Sequence, residues 1–119
     1  MSSIDPTCVF CRIAAGEIPA TVVARSDHAM AFQDLTPKAP IHVLVIPTIH
    51  VASTAEVSGE AGVVLLGRVL ALAVETAAQL GLAGDGYRLV INTGPHGGQS
   101  VGHLHVHLLG GRQMHWPPG

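Results

Sequence analysis

Residues 97–112, GGQSVGHLHVHLLGGR, place three histidines at alternate positions behind a glycine-rich loop. His103, His105 and His107 alternate with aliphatic residues, which is the period-2 pattern of a β-strand with one polar and one apolar face. At a rise of about 3.3 Å per residue, neighbouring histidines are expected about 6.6 Å apart, too far to bond one another directly. That spacing suits a group of imidazoles around one small tetrahedral anion, and a phosphate is the obvious candidate.

A metal site is the competing interpretation of the three histidines, because imidazole is the commonest metal ligand in proteins. Three histidines along one flat strand do not converge readily on one ion at about 2.0 Å each. At most one or two of them are therefore expected to bind the same metal.

The composition describes one small, apolar domain. Of 119 residues, 48% are hydrophobic and 12% are charged, and residues 1–119 are expected to form a single domain with a modest core. This apolar balance suggests that a second subunit covers part of the surface. Lys and Arg total 6 against 8 Asp and Glu, without a basic run, which argues against nucleic acid or an anionic membrane as a partner. One bound nucleotide remains compatible.

The sequence also predicts a compartment. The first ten residues, MSSIDPTCVF, lack a charged region followed by an apolar one, so no signal peptide is expected. Residues 61–80 are apolar but interrupted by polar and charged side chains, and are expected to form a packed helix rather than a membrane span. A cytoplasmic protein is therefore expected, in which Cys8 and Cys11 are reduced or metal-bound rather than disulfide-linked.

Capping and turn residues divide the chain into short elements. A short helix is expected at residues 7–15 with Thr7 as its N-cap, and a long helix between the cap Ser58 and the stop signal Gly81. The apolar residues of the long helix follow helical spacing: Val63, Leu66, Val69, Leu70, Ala73 and Leu80. Its small residues would permit close approach of a second subunit or could equally face the sheet: Gly62, Ala71 and Ala73. Strands are expected at residues 21–25, 29–33, 42–46 and 87–92, followed by the histidine strand. This order predicts an α+β fold, with an antiparallel sheet of about five strands and two helices.

The pattern His-Leu-His-Val-His-Leu-Leu at residues 103–109 matches the histidine triad motif, His-x-His-x-His-x-x with x apolar. The segments CVFCRI, GEIPA, AFQDLTPKAPIHVLVIP, GYRLVINTG and QMHWPPG accompany it in this order. The chain therefore resembles the histidine-triad nucleotide-binding (HINT) branch of the histidine triad (HIT) superfamily. The resemblance implies a HIT-like fold and a two-fold homodimer, with the tail 113–119 near the dimer interface and the active site.

The resemblance also assigns the chemistry to residues of this chain. His105 is expected to be the nucleophile that forms a nucleotidyl-histidine intermediate, because neutral imidazole is nucleophilic near pH 7. Its other ring nitrogen is expected to donate to an acceptor such as a backbone carbonyl. His107 is expected to donate to the phosphoryl or leaving-group atom, and Ser100 to contact the leaving group or the phosphate. His42 is expected to support the triad and relay protons, or else to be an ordinary core residue.

The nucleotide-binding residues follow from the same resemblance. Asp34 is expected to accept both ribose hydroxyls, and Asn92 and Gln99 are expected beside the phosphate. Gly97 and Gly98 would allow backbone amides to approach that phosphate. The base is expected against apolar residues that could equally be ordinary core: Phe10, Ile13, Phe32 and Leu35.

Cys8 and Cys11 have two interpretations besides core packing. A redox pair would need a βαβ context that this sequence does not supply. Some bacterial members of the resembled family bind structural zinc, which here implies a site made with His50 and His103. Two sulfurs and two nitrogens suit a closed tetrahedral zinc site, and catalysis would not depend on this metal.

The activity implied by the resemblance is hydrolysis of the P–N bond of purine nucleoside 5′-monophosphoramidates, which releases AMP or GMP and an amine. The scarcity of Lys and Arg argues against a polyphosphate substrate without excluding a dinucleoside polyphosphate hydrolase. A non-catalytic purine nucleotide-binding or interaction protein and a small zinc module remain as alternatives.

Overall fold

A computed structural model describes residues 4–119 of the chain. Residues 1–3, where the stretch that predicts the absence of a signal peptide begins, lie outside the described residues. The elements in chain order are helix α1 (Val9–Ala14), strands β1 (Val22–Arg25), β2 (Ala29–Gln33) and β3 (Ile41–Pro47), a 3-10 turn (Thr54–Glu56), helix α2 (Gly59–Gln79), and strands β4 (Arg88–Ile91) and β5 (Val106–Gly110).

The five strands form one antiparallel sheet in the order β1-β2-β3-β5-β4. The α+β fold with five antiparallel strands and two helices is thereby confirmed. The register pairs Leu44 with both Phe32 and His107, so these three side chains share one face of the sheet. His42 lies two residues before Leu44 and points to that face as well.

The two helices cover opposite faces of the sheet. On one face, α2 packs through Val69, Leu72 and Ala73 against a cluster of aliphatic strand residues: Ala29, Ala31, Val43, Val45, Val106 and Leu108. On the other face, α1 packs through Phe10 and Ala14 against a second cluster: Met30, Phe32, Leu44 and Ile46. His42 and His107 therefore lie on the face opposite α2, which α1 covers only in part.

Helix α2 is long and apolar enough to cross a membrane by length and composition, but one side of it is committed to the core. Leu65, Val69 and Ala77 are buried there. Its other side exposes three large aliphatic side chains: Val63, Val64 and Val74. The helix thus has one apolar face inside the domain and a second apolar strip on the surface.

The residues of α2 divide between these two sides differently from the sequence expectation. Val63, expected on the buried apolar face, is 68% exposed, because it lies about 200° around the helix from the buried Leu65. Gly62 and Ala73, which could have faced either a second subunit or the sheet, are buried within the chain, Gly62 against Val57. Of the small residues considered for that interface, Ala71 is exposed.

Helix α1 begins later than expected. Its N-cap is Cys8, whose Sγ accepts from the backbone amide of Cys11 at 3.4 Å. Thr7, the expected N-cap, instead donates its hydroxyl and amide protons to the carboxylate of Asp5. Because Thr7 is bonded to Asp5, it does not cap the helix, and Cys8 occupies the N-cap position.

The histidine strand is also shorter than expected, because β5 contains His107 but not His103 or His105. The amide of His103 donates to the Val101 carbonyl at 2.8 Å, and the amide of Leu104 donates to the Val51 carbonyl at 2.6 Å. A tight turn and a loop partner therefore replace strand pairing in this segment. The expectation of three evenly spaced histidines on one strand is wrong.

The C-terminal tail leaves β5 without forming a helix or strand. The guanidinium of Arg88 donates to the His115 carbonyl at 2.8 Å, while Trp116 is 82% exposed. An open cleft of about 620 Å³ lies between residues 81–88 and 111–114, where the tail departs, and none of the expected site residues lines it.

Candidate functional site

His105 is held in one tautomer by the chain itself. Its ring is 2% exposed, and its Nδ1 lies 2.8 Å from the carbonyl oxygen of His103. Because a carbonyl only accepts, Nδ1 carries the proton and Nε2 keeps its lone pair. Phe10 packs edge-on against the ring, with 5.3 Å between centroids. The bond expected from the sequence is therefore present, and it leaves a fixed imidazole with one free nucleophilic nitrogen.

His42 and His107 form a second pair with assigned protons. The backbone amide of Lys38 donates to His42 Nδ1 at 3.0 Å, so the proton of neutral His42 is on Nε2. That Nε2 lies 2.9 Å from His107 Nδ1, which must accept. Neutral His107 therefore carries its proton on Nε2, where it can donate to a ligand.

Both histidines of this pair are neutral at pH 7. Burial lowers the pKa of His42, an effect that the nearby Asp34 carboxylate opposes. Burial also lowers the pKa of His107 to about 4, with further lowering by His105 and His42. The chain from the Lys38 amide to His107 therefore consists of neutral groups, and each bond in it has one possible direction.

Asp34 lies beside this pair, with Oδ2 3.3 Å from His42 Nε2 and Oδ1 accepting from the Thr36 amide at 2.8 Å. Asp34, His42 and His107 are close enough together to suggest a metal site. The Lys38 amide argues against that interpretation, because it leaves the proton on His42 Nε2, where a metal would need a lone pair. The cluster is therefore a hydrogen-bonded group at the edge of the site.

The loop before the triad is ordered by Gln99. Its amide nitrogen donates to the carbonyls of Ala52 and Val101 at 2.7 and 2.9 Å, and its oxygen accepts from the Gly94 amide at 3.0 Å. Both amide protons are thus occupied, which differs from the expected phosphate contact. Gln99 in this structure shapes the loop that carries Ser100, which is exposed.

The glycines of this loop serve the turn itself. A Cβ on Gly97 would collide with the backbone of Thr93, and Gly98 has a φ of 76°. The amide of Gly98 donates to the Pro95 carbonyl at 3.1 Å, so it is not free for an anion as expected. Asn92, at the end of β4, is half-buried, and no hydrogen bond of its side chain occurs within residues 4–119.

The four residues expected to contact the base differ in exposure. Phe10 and Phe32 are buried and pack edge-to-face at 5.5 Å between centroids, as core residues do. Ile13 is half-buried beside them. Leu35 follows Asp34 and is 94% exposed, an unusual position for a leucine in a small domain. Of the four, only Leu35 is therefore largely exposed to solvent.

Cys8, Cys11, His50 and His103 converge on one point, although they come from three separate segments. His103 Nδ1 lies 3.3 Å from the sulfur of Cys8 and 3.5 Å from that of Cys11, and His50 Nδ1 lies 3.4 Å from Cys11 Sγ. Tetrahedral bonds of about 2.3 Å to sulfur and about 2.0 Å to nitrogen would separate neighbouring S and N atoms by about 3.5 Å. The four side chains therefore fit the geometry of a zinc site.

The tautomer of His103 also suits a metal ligand. Its Nε2 lies 3.0 Å from the Pro47 carbonyl and must donate to it, which leaves the Nδ1 lone pair directed at the sulfurs. Burial lowers the pKa of His103 to about 4, so the ring is neutral at pH 7. Burial raises the pKa of the Cys11 thiol, and a bound divalent cation would act in the opposite direction.

Sequence reasoning missed the backbone groups that set these tautomers, which are the amide of Lys38 and the carbonyl of Pro47. Every residue carries such groups, so no side-chain pattern could have revealed them. Sequence reasoning also missed Arg112, whose guanidinium donates to the Lys38 carbonyl at 3.0 Å.

Known proteins are similar to this chain in sequence and in fold. The HIT domain family matches residues 15–114. Adenylylsulfatase HINT1 of Arabidopsis thaliana is 49% identical over 116 residues, which span 97% of this chain and 78% of that protein. The 14 kDa zinc-binding protein of Brassica juncea is 49% identical over 112 residues, or 93% of this chain and 98% of that one.

The solved structures agree with the sequence matches. A HIT family hydrolase from Legionella pneumophila Philadelphia 1 superposes with a TM-score of 0.91 at 50% identity, covering 95% of this chain and 100% of that one. A histidine triad protein from Clostridium difficile superposes with a TM-score of 0.88 at 37% identity, covering 92% and 95%. The chain therefore belongs to the histidine triad (HIT) family and is HINT-like.

Proposed function

We propose that the protein hydrolyses the P–N bond of purine nucleoside 5′-monophosphoramidates through a covalent intermediate on His105. The observation that carries this proposal is the bond from His105 Nδ1 to the His103 carbonyl, which leaves the Nε2 lone pair free for attack. Neutral imidazole attacks phosphorus readily, and water cleaves the resulting phosphoimidazole. One difficult substitution is thereby divided into two easier ones.

In the first step, His105 Nε2 attacks phosphorus as the P–N bond breaks, and the leaving nitrogen takes a proton from solvent through the hydroxyl of Ser100. In the second step, water attacks phosphorus and the bond from phosphorus to Nε2 breaks. The water proton passes to solvent, and His105 returns to its neutral form with Nδ1 still protonated. Each step inverts the configuration at phosphorus, so the net result is retention.

His107 has a different part in this mechanism. Its Nδ1 accepts from His42, so loss of its Nε2 proton would leave an imidazolate, which is far too basic to form at neutral pH. His107 therefore keeps its proton and stabilises charge on a phosphoryl oxygen, as an oxyanion-hole donor does. His42 is the positioning residue behind it, rather than a group that gives up a proton.

The other expected residues would hold the nucleotide around this centre. Each carboxylate oxygen of Asp34 has two lone pairs. Both oxygens can therefore accept a bond from a ribose hydroxyl in addition to their contacts with Thr36 and His42. Asn92 directly follows β4, which pairs with β5, and we propose that its side chain contacts the phosphate. The base would rest against apolar residues that range from buried to exposed: Phe10, Ile13, Phe32 and Leu35.

The direct test is turnover of adenosine 5′-phosphoramidate by protein from which metal has been removed. We expect release of AMP and ammonia, with slower turnover of a dinucleoside polyphosphate, because the structure offers few cationic side chains near the triad to bind additional phosphates. Absence of phosphoramidate turnover together with tight AMP binding would instead identify a non-catalytic nucleotide-binding protein.

Adenylylsulfate is a second candidate substrate, favoured by the 49% identity to the Arabidopsis adenylylsulfatase HINT1. The same attack by His105 would form the same adenylyl-histidine, with sulfate as the leaving group. Sulfate needs no proton to leave, so Ser100 would not contribute to its departure. A Ser100→Ala variant is therefore expected to slow phosphoramidate turnover while leaving adenylylsulfate turnover nearly unchanged.

We expect His107→Ala to lower kcat/KM for phosphoramidates by about 100-fold, the usual cost of one missing oxyanion donor. The loss should be similar for alkylamine and arylamine leaving groups, because the donor acts on the phosphoryl oxygen. His107→Gln, whose amide keeps a donor, should recover part of the rate. A loss that shrinks as the leaving amine becomes less basic would assign His107 to leaving-group protonation instead.

Zinc is the metal that the cluster of Cys8, Cys11, His50 and His103 would hold. Its two cysteines and two histidines form a closed ligand set with no position left for substrate, which is typical of structural zinc. Bound zinc would cross-link α1 to the segment before β5 and supply no reaction chemistry. Reduced cysteine ligands of this kind also fit a cytoplasmic location.

A two-fold homodimer would cover the apolar surface that the single chain leaves exposed. The exposed strip on α2 (Val63, Val64 and Val74) and the free edge of β4 offer a side-chain surface and unpaired backbone groups for a second copy. The side chain of Trp116, in the tail, is also apolar and exposed. We infer that each tail packs against the partner subunit near its active site.

Deleting residues 114–119 is expected to change KM or substrate preference more than thermal stability, because the tail carries no core residue. Light scattering should show a dimer at micromolar concentration for both the full chain and the truncated one. The dimer proposal fails if the full chain scatters as a monomer. The role of the tail fails if truncation leaves kcat/KM unchanged across several amine leaving groups.

A further inference from the structure

We propose that the backbone amide of Lys38, held in place by Arg112, is a positioning group that makes His107 a permanent hydrogen-bond donor to the substrate. This inference rests on the proposed function, since it names the backbone group that orients His107 toward the substrate. The chain of contacts runs from Arg112 to the Lys38 carbonyl at 3.0 Å, from the Lys38 amide to His42 at 3.0 Å, and from His42 to His107 at 2.9 Å.

Two contacts at the end of the histidine strand hold the loop that carries Lys38. The guanidinium of Arg112 donates to the carbonyls of both Lys38 and Gln113. Next to it, Gly111 has a φ of 89°, and a Cβ there would lie 2.8 Å from the Cβ of Pro40. Only glycine permits this close approach. The residues directly after β5 therefore clasp the loop from which His42 receives its hydrogen bond.

The backbone amide matters because it can only donate. A neutral imidazole has two tautomers of similar energy, and an acceptor at Nδ1 would favour the wrong one here. With Nδ1 of His42 protonated, its Nε2 would accept from His107, and His107 Nε2 would lose its proton. The substrate would then meet a lone pair on His107 instead of a donor. The orientation of the Lys38 peptide therefore decides whether His107 Nε2 presents a proton that stabilises the phosphoryl oxygen or a lone pair that repels it.

The expected experiment compares Arg112→Ala with Arg112→Lys and with Arg25→Ala. Arg25 is the matched control, because it also donates to a backbone carbonyl, that of Ala14 at 3.1 Å, but lies on the edge strand β1. Arg112→Ala should lower kcat for adenosine 5′-phosphoramidate by about tenfold with KM within about twofold, a partial loss of one oxyanion donor. Arg112→Lys should retain more of kcat, and Arg25→Ala all of it.

A second readout does not depend on activity. Nitrogen NMR of protein labelled with ¹⁵N-histidine reports which ring nitrogen carries the proton. In the unaltered protein, His42 and His107 should both be protonated at Nε2, with assignments from His42→Asn and His107→Asn spectra. Arg112→Ala should introduce the Nδ1-protonated form at both rings. A fall in kcat without that change would mean a general structural effect and would overturn the proposal.

Lys38→Pro removes the amide proton itself, and Lys38→Ala removes the same side chain but keeps the amide. We expect the Nδ1-protonated form in Lys38→Pro and the original spectrum in Lys38→Ala. Nδ1-protonated His42 in the unaltered protein, or an unchanged spectrum in folded Lys38→Pro, overturns the inference; if that variant does not fold, the Arg112→Ala spectrum decides. Absence of phosphoramidate turnover would overturn the proposed function alone, because the spectra would still test the tautomers.

Discussion

Replacing His105 with alanine is expected to lower kcat for adenosine 5′-phosphoramidate by about 10⁴-fold or more, because it removes the proposed nucleophile of the first step and the leaving group of the second. Binding of AMP should weaken only severalfold, since the proposed ribose and base contacts are made by other residues. The measurements are single-turnover kinetics and calorimetric titration with AMP. His28→Ala, at an exposed histidine in the β1–β2 turn, is the matched control and should keep the original kcat.

The covalent mechanism predicts two further results at position 105. In His105→Gly, the space left by the ring is expected to admit added imidazole, which should restore part of the turnover and form free adenylyl-imidazole. Quenching the unaltered enzyme during turnover should trap an acid-labile adduct at His105. Near-normal kcat in His105→Ala would exclude the covalent route, whatever the substrate.

The second large effect is expected at the cysteine and histidine cluster. Purified protein should carry about one zinc per chain, and Cys8→Ser should lose it. A bound metal at about 100 times its Kd contributes about 2.7 kcal/mol to the free energy of unfolding, so the melting temperature should fall by about 10 °C. Val9→Ser, at a neighbouring exposed position, is the control and should keep both metal and melting temperature.

Activity should respond to zinc loss less than stability does. The side chain of His103 belongs to the cluster, whereas its carbonyl holds His105. The Leu104 amide also anchors this segment to Val51 without any metal, so the His105 tautomer should survive and kcat should fall only severalfold. Metal analysis that finds no zinc after expression in zinc-replete medium would remove all four side chains from the ligand set.

Much of the fold follows from local patterns in the sequence. The strand β2 was predicted with its observed bounds, because Ser26 accepts from the amides of His28 and Ala29 and closes a hairpin of the expected length. The strand β3 differs by one residue at each end, since its β-branched run ends at a proline. Ser58 and Gly81 bracket α2 as expected. Turn residues and side-chain periodicity act over a few positions, so a single sequence displays them directly.

The sequence does not predict as clearly which side of α2 faces the core. An apolar helix with valines and alanines around most of its circumference presents no unique stripe, so periodicity alone could not tell Val63 from Leu65. The small alanines of β2 and the aliphatic residues of β5 decide which side packs on the sheet. Those residues meet α2 only after the sheet has formed, because they come from distant parts of the chain.

The sequence predicts which side chains form the candidate site, but it does not predict which ring nitrogen of each histidine carries the proton. The triad pattern predicts His105 and His107 as site residues, and the spacing of Cys8 and Cys11 predicts half of the candidate metal site. The tertiary structure decided that His103 turns away to the cysteines and that each histidine has one available nitrogen. It did so through the carbonyls of His103 and Pro47 and the amide of Lys38. Backbone groups are identical at almost every residue, so only their position in the folded chain determines what each imidazole can do.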